Sequence, residues 1–335
     1  MTPFRWLDGE RLVRFGEGAL EEAPALLAER GFDRYALLTT ERALERWPGL
    51  ERDAAELVHV PAGKVDEVAA ELLGQADGWP LVALGGGRVI DVAKALAGAA
   101  GGGRCAALPT TLAGSPMTRF HRRPAGADAA GFVRPELVIA DPALMASQPD
   151  AQLAASAMNA LAHATESLYT PLANPVAALA ALEAASLIAG RLPAVQVDRP
   201  ALALAAILAG YAVGSTGLAI HHAVCQTIVR VSGSPHAETN AVMLPHFARL
   251  MATRAPGALS ALAEALGDPV GDPGSAGGQI ARLAARCGHT RLSTLGVQAG
   301  QLLEIVDAVQ GHPGLKATPE PPGRDDLLRL LEGAL

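Results

Sequence analysis

The chain has 335 residues, half of them hydrophobic, and a formal net charge of −7. That length exceeds what one hydrophobic core usually organises, so two domains are expected; the acidic balance argues against nucleic acid as a partner, because phosphate binding needs clustered Lys and Arg. Much of the apolar content is alanine, and no run of about 18 apolar residues offers a membrane span. The N-terminus MTPFRWLDGERLVRFG has neither the basic nor the apolar region of a signal peptide, so a cytoplasmic protein without membrane contact is expected. Cys105, Cys225 and Cys287 are widely spaced with no CxxC pair, which fits reduced thiols.

In chain order, residues 11 to 150 alternate short β-rich runs with helical stretches: RLVRFG at 11–16, GALEEAPALLAERG at 18–31, YALLTT at 35–40, a helix, VHVP at 58–61, VDEVAAELLGQADG at 65–78 and LVALGGG at 81–87. Such alternation predicts βαβ units and a parallel sheet, with Gly31 and Gly78 as left-handed helix stops. Beyond residue 150 the character changes to alanine- and leucine-rich amphipathic segments at 150–170, 176–190, 200–220, 239–253, 257–266 and 275–287, which predict an all-helical domain. Pro142 and Pro149 punctuate the change within DPALMASQP, giving domains 1–147 and 148–335. The Gly- and Pro-rich GDPVGDPGSAGG at 267–278 reads as a flexible connection.

LVALGGGRVIDVAKALA, residues 81–97, places three glycines between an apolar strand and a helix. Glycines let the backbone approach an anion closely, and a helix N-terminus offers free N–H groups and partial positive charge. A dinucleotide pyrophosphate would fit there, although the same turn serves an ordinary strand-to-helix connection and lacks G-x-G-x-x-G spacing.

The segment GGGRVIDVAKALA resembles the GGGSxxDxxK motif of the iron-containing alcohol dehydrogenase superfamily, and LPTTLAGSPMT at 108–118 resembles its second cofactor loop. The resemblance continues through FGEGAL near 16, VIADPAL at 138–144, SAMNALAHATESLYTPLANP at 156–175, GLAIHHAVCQ at 217–226 and SPHAETNAVMLPH at 234–246. It covers nearly the whole chain and is strongest for the maleylacetate reductase branch. It implies a Rossmann-like α/β N-terminal domain with a parallel sheet and an all-α C-terminal domain, the dehydroquinate synthase-like fold, in a homodimer formed through the first strands.

The resemblance further implies NADH or NADPH as cofactor. Gly85, Gly86 and Gly87 would cradle the pyrophosphate, and Thr110, Thr111, Leu112, Ser115 and Thr118 would line the nicotinamide side. Thr39 and Thr40 fall where the adenosine ribose is expected. Nearby Glu41 either accepts a ribose hydroxyl, favouring NADH, or belongs to an exposed helix start. Asp91 and Lys94 either touch cofactor or brace the helix. Arg88 stands where the motif has Ser and offers a fork of donors to phosphate; Pro116 replaces an acidic residue and removes a backbone donor.

In metal-dependent relatives one Asp and three His hold a divalent ion that polarises the substrate carbonyl. Those positions here read Asn159, His163, Gln226 and His236. A neutral amide in place of the carboxylate, and another in place of an imidazole, point to metal independence. Stabilising the developing alkoxide and delivering a proton then fall to His163, His222 or His236, with Gln226 able only to donate a hydrogen bond; His221 reads as packing. The expected activity is reduction of a small keto or unsaturated carboxylic acid, maleylacetate to 3-oxoadipate being the type reaction. Arg119, Arg122 and Arg123 either pair with substrate carboxylates or form a solvated loop. The alternative is a divergent non-redox or biosynthetic enzyme on the same scaffold, motivated by Arg88, Pro116 and Gln226.

Overall fold

The computed structural model describes residues 2–127 and 131–335. The chain divides into two compact units, Met1–Ser147 and Gln148–Leu335. Among the described residues no single helix is long and apolar enough to cross a membrane.

The first unit is a seven-stranded sheet flanked by helices. Its elements are β1 (Phe4–Asp8), β2 (Arg11–Phe15), α1 (Ala23–Glu29), β3 (Tyr35–Thr39), α2 (Glu41–Arg46), β4 (Ala54–His59), α3 (Val65–Glu71), β5 (Leu81–Gly85), α4 (Gly87–Ala99), β6 (Cys105–Pro109), β7 (Leu137–Ala140) and α5 (Pro142–Met145). The strand order is β1-β2-β7-β6-β5-β3-β4. All neighbours are parallel except β1 and β2, a hairpin whose turn places Gly9 at φ +62. The rest of the sheet is parallel, as the βαβ alternation predicts. β1 carries alternating half-buried and exposed residues, as an edge strand with one solvated face does.

The interior strands are buried on both faces, and their alternation sorts them into two cores. Ala36, Leu38, Leu81, Ala83, Cys105 and Ala107 pack with α3 and α4. Leu37, Val82, Leu84, Ala106, Leu108 and Ile139 pack with α1 on the other face. The chain leaves β3 for edge strand β4 and returns to the opposite side of β3 as β5, so the strand order reverses between β3 and β5. In open α/β sheets ligands bind outside the carboxyl ends of the strands at such a point. Thr39–Thr40 and Gly85–Gly87 lie at those ends.

Gly31 follows α1 at φ +72, as the helix stop requires. Gly78, read as a second stop, does not end α3: that helix finishes at Glu71, and Gly74 at φ +83 is the first left-handed residue beyond it.

The second unit is helical: α6 (Asp150–Ser167), α7 (Pro175–Arg191), α8 (Arg199–Thr216), α9 (Ile220–Ser232), α10 (His236–Arg254), α11 (Pro256–Ala265), α12 (Ala276–Ala284), α13 (Leu302–Gln310), α14 (Pro313–Lys316) and α15 (Arg324–Ala334). α6 is its central element, buried without interruption from Leu153 to Ser167 and packed on α7, α8 and α10. Its alanines let those neighbours come close. Segment 267–278 is not the loose connection its composition suggests. Asp268 accepts hydrogen bonds from the Val270 amide (3.0 Å) and the Ser275 hydroxyl (2.5 Å), while Ser260 Oγ donates to the Gly271 carbonyl at 2.7 Å.

Candidate functional site

In the first unit the residues assigned to cofactor converge on the start of α4. Gly86 is the N-cap, with extended backbone and no side-chain cap, so the first amides of α4 lack intrahelical acceptors and their partial charge faces outward. A Cβ on Gly86 would lie 3.1 Å from Thr111 Cγ2, one on Gly87 3.0 Å from Ala113 Cβ, and one on Gly85 2.6 Å from Val89 Cβ. The glycines therefore let three segments close on one another. Thr110 donates its amide to the Gly85 carbonyl at 3.0 Å, joining the end of β5 to the following loop.

Loop 110–120 is held by a buried ammonium. Lys94 is fully buried. Its Nζ lies 2.7 Å from Asp91 Oδ1 and donates to the carbonyls of Ser115 (3.1 Å), Thr118 (3.2 Å) and Phe120 (2.7 Å) and to Thr118 Oγ1 (3.4 Å). Ser115 Oγ donates to Asp91 Oδ1. Asp91 and Lys94 thus brace the loop, which also buries Leu112, Pro116, Met117 and Thr118. Arg11, itself buried, donates to the Met117 carbonyl at 2.8 Å.

The other assigned positions are more ordinary. Thr39 Oγ1 is buried and donates to the Leu84 carbonyl at 2.9 Å, pinning β3 to β5. Thr40 Oγ1 accepts from the Ala43 amide, capping α2, and Glu41 is exposed in the first turn. Arg88 is exposed at the start of α4. Arg119, Arg122 and Arg123 are all exposed, Arg123 lying 5.6 Å over the Phe132 ring; residues 128–130 of the same segment are outside the described residues.

In the second unit Asn159 and His163, four residues apart on α6, share a face. His163 stacks on His222 of α9 with 4.6 Å between ring centroids and 8° between planes. Gln226, placed by the resemblance at a ligand position, lies one turn further along α9 and is half-buried; the ring beside His163 is that of His222. His222 and Gln226 share a face of α9, and it is the first turn, which begins at Ile220, that meets α6. His236 is exposed at the first position of α10.

Around this stack lie residues that the sequence did not single out. Glu166, fully buried three residues after His163, accepts from His222 Nδ1 at 2.6 Å and from the His222 amide at 3.2 Å. Asn240, fully buried on α10, meets His221 Nε2 at 3.0 Å and places its Nδ2 2.7 Å from the His236 carbonyl and 3.2 Å from His236 Nε2. Thr318 Oγ1 accepts from the Ile220 amide at 3.0 Å, capping a helix whose own N-cap is Ala219. A carboxylate three residues after His163, on the helix face that also carries Asn159, was the available signal for Glu166.

Burial disfavours charge on the rings. It pushes His221 and His222 down to about 3, and it drives His163 well below its ordinary value, with His222 and His236 adding to the effect. Burial raises Glu166, opposed by His221 and by the amides of Ala219, His222 and His221. Asn159 Oδ1, His163 Nδ1 and His222 Nε2 are buried atoms without a hydrogen-bond partner. Three such atoms on neighbouring side chains are costly unless a ligand satisfies them. Among the described residues no group of three or more His, Cys, Asp or Glu is placed to hold a metal ion.

Comparison with known proteins agrees across both units. The family description "Iron-containing alcohol dehydrogenase" matches residues 11–142, and "Fe-containing alcohol dehydrogenase family, C-terminal" matches residues 153–335. The chain is 36% identical to maleylacetate reductase 2 of Cupriavidus pinatubonensis, covering 96% of this chain and 94% of that protein. It is 30% identical to the maleylacetate reductase of Sphingobium indicum, covering 96% and 95%. The crystal structure of maleylacetate reductase from Agrobacterium tumefaciens superposes with a TM-score of 0.84 at 29% identity, covering 100% of this chain and 99% of that one.

Proposed function

We propose, for a chain that belongs to the iron-containing alcohol dehydrogenase family and is an oxidoreductase, that it is a metal-independent, NADH-dependent reductase of a small keto or unsaturated carboxylic acid, with maleylacetate as first substrate. The observation that carries this reading is the neutral cluster of Asn159, His163 and His222, whose three buried polar atoms have no hydrogen-bond partner within the protein. The relatives named maleylacetate reductase supply the substrate class.

The residues present fit a dinucleotide. The narrow floor formed by Gly86 against Thr111, where a Cβ would intrude, leaves backbone amides open to a pyrophosphate, and exposed Arg88 can fork onto phosphate oxygens. Thr110, Thr111, Leu112, Ser115 and Thr118 are assigned to the nicotinamide side on a loop that Lys94 holds rigid. Thr40 and Glu41 are assigned to the ribose, Glu41 favouring NADH over NADPH; Thr39 acts there only through its bond to Leu84. When bound, the reduced nicotinamide supplies the hydride.

The donors do not suit a resident iron. Asn159 contributes a neutral oxygen, and His236 Nε2 already faces the Asn240 amide, so the set lacks both the charge and the convergence that a divalent ion needs. Polarising the substrate oxygen then falls to a hydrogen bond from His163.

The test is titration of chelator-treated protein with NADH and NADPH, followed by assay with maleylacetate. Micromolar binding and metal-free turnover support the reading. Activity that appears only when iron or zinc is restored would overturn metal independence. Absence of nucleotide binding in every condition would remove the redox reading altogether.

A further inference from the structure

The histidines differ in what holds them, and the difference fixes where each carries its proton. Asn240 Nδ2 lies 2.7 Å from the His236 carbonyl, which can only accept, so the amide orientation is set. The same nitrogen reaches His236 Nε2 at 3.2 Å, and an amide nitrogen can only donate there. His236 Nε2 is therefore a lone pair, and the proton of the neutral ring sits on Nδ1. At the other end, Asn240 Oδ1 accepts from His221 Nε2 at 3.0 Å, so His221 is protonated on Nε2.

His222 is held from the opposite side. Glu166 accepts the His222 amide at Oε1, sits among the first amides of α9, and meets His222 Nδ1 through Oε2 at 2.6 Å. Burial raises Glu166, but the amides of Ala219, His221 and His222 that it accepts hold it as the anion, and as the anion it accepts from Nδ1–H. The remaining nitrogen, Nε2, is fully buried and unpartnered.

We propose that Glu166 and Asn240 are positioning residues that fix the Nδ1–H tautomer of two histidines, Glu166 for His222 and Asn240 for His236, so that His222 keeps a buried lone pair at Nε2. This inference rests on the reductase reading for its purpose and sharpens the substrate class. The group that meets His222 must bring a donor, as the hydroxyl or enol of a hydroxy or keto acid does. A fully deprotonated carboxylate leaves His222 unpaired.

The test begins with the unaltered protein labelled with ¹⁵N-histidine, whose long-range ¹H–¹⁵N correlations report each ring's tautomer independently of activity. Expected are Nδ1–H for His222 and His236 and Nε2–H for His221. Nε2–H on either His222 or His236 overturns the proposal. Asn240→Asp replaces the donor with a second acceptor and should switch His236 to Nε2–H while leaving His221 as it was. With maleylacetate as probe, Glu166→Gln and Asn240→Asp should each lower kcat at least about tenfold with NADH affinity unchanged within about twofold. Unchanged kcat in both variants overturns the positioning roles. Expected tautomers in a protein that turns over no substrate would instead count against the reductase reading alone.

Discussion

His163 and His222, from helices whose contributing residues are 59 positions apart, lie face to face with 4.6 Å between ring centroids. Parallel stacking at that distance is tolerable for neutral imidazoles and costly for a pair of cations, since like charges in a low-dielectric interior repel strongly. Burial, which lowers both rings, favours the neutral forms that such a stack requires.

A dependence of stability on acid follows. His221 and His222 have folded values of about 3, below the ordinary value near 6.5 of an unfolded chain. Between those values the unfolded state binds more protons, so stability rises with pH there. It is fully present above about pH 6.5 and is lost as pH falls toward 3. Between pH 6.5 and pH 5 the loss should be about 2 kcal/mol for each of the two histidines. Urea denaturation at pH 7.5, 6 and 5 should show a midpoint that falls steadily. A midpoint flat across that range would mean that the rings protonate in the folded protein.

The fold was legible where burial is two-sided or amphipathic. YALLTT and LVALGGG announce interior strands because both faces are apolar, whereas FRWLD turns Arg5 and Leu7 to a solvated face and offers no such run. The glycine loop was legible because its chemistry is local. The histidine site was only half legible: Asn159 and His163 belong to one helix turn, but the partnership of His163 with His222 and of Glu166 with His222 depends on how α9 meets α6. Spacing along HHAVCQ put Gln226 forward, and nothing in that hexapeptide reveals which turn faces α6. Asn240 resembles any other polar helix residue until its neighbours are known.

Lys94 offers the next expectation. Its ammonium is fully buried and satisfies carbonyls of Ser115, Thr118 and Phe120. Lys94→Met keeps the stem and removes every one of those bonds, leaving buried acceptors unmet and Asp91 without its partner. A loss of about 3 kcal/mol or more is expected, with NADH affinity falling at least about tenfold as loop 110–120 loosens. Asp91→Asn should cost less, because Asp91 remains partly exposed. Chemical denaturation and nucleotide titration on both variants check the order; equal effects would show that the loop does not depend on the ammonium.

Thr318 tests whether the start of α9 positions His222. Its hydroxyl accepts from the Ile220 amide at 3.0 Å and donates to the Gly314 carbonyl at 2.8 Å. Thr318→Val preserves shape and removes both bonds, so a destabilisation of about 1 kcal/mol is expected. If the cap also sets the angle at which His222 meets His163, kcat should fall several-fold while NADH binding is untouched. Thermal denaturation and steady-state kinetics separate the two effects, and full activity at reduced stability would confine Thr318 to a structural role.

Two of the loop glycines should separate in the same way. Gly85 and Gly86 both lie outside the left-handed region, so alanine is tolerated by their backbones and the outcome turns on space. A Cβ on Gly85 would meet Val89 Cβ at 2.6 Å, inside the packed junction of β5 and α4, and overpacking there should cost about 1–3 kcal/mol. A Cβ on Gly86 would meet only Thr111 Cγ2 at 3.1 Å, which a small adjustment relieves, so Gly86→Ala should keep nearly full stability. Yet the added methyl narrows the floor on which a pyrophosphate would rest, and NADH affinity should fall at least about tenfold through lost close approach. Isothermal titration with NADH alongside urea denaturation distinguishes the variants. Gly86→Ala that binds NADH as tightly as the unaltered chain would move the pyrophosphate away from this loop.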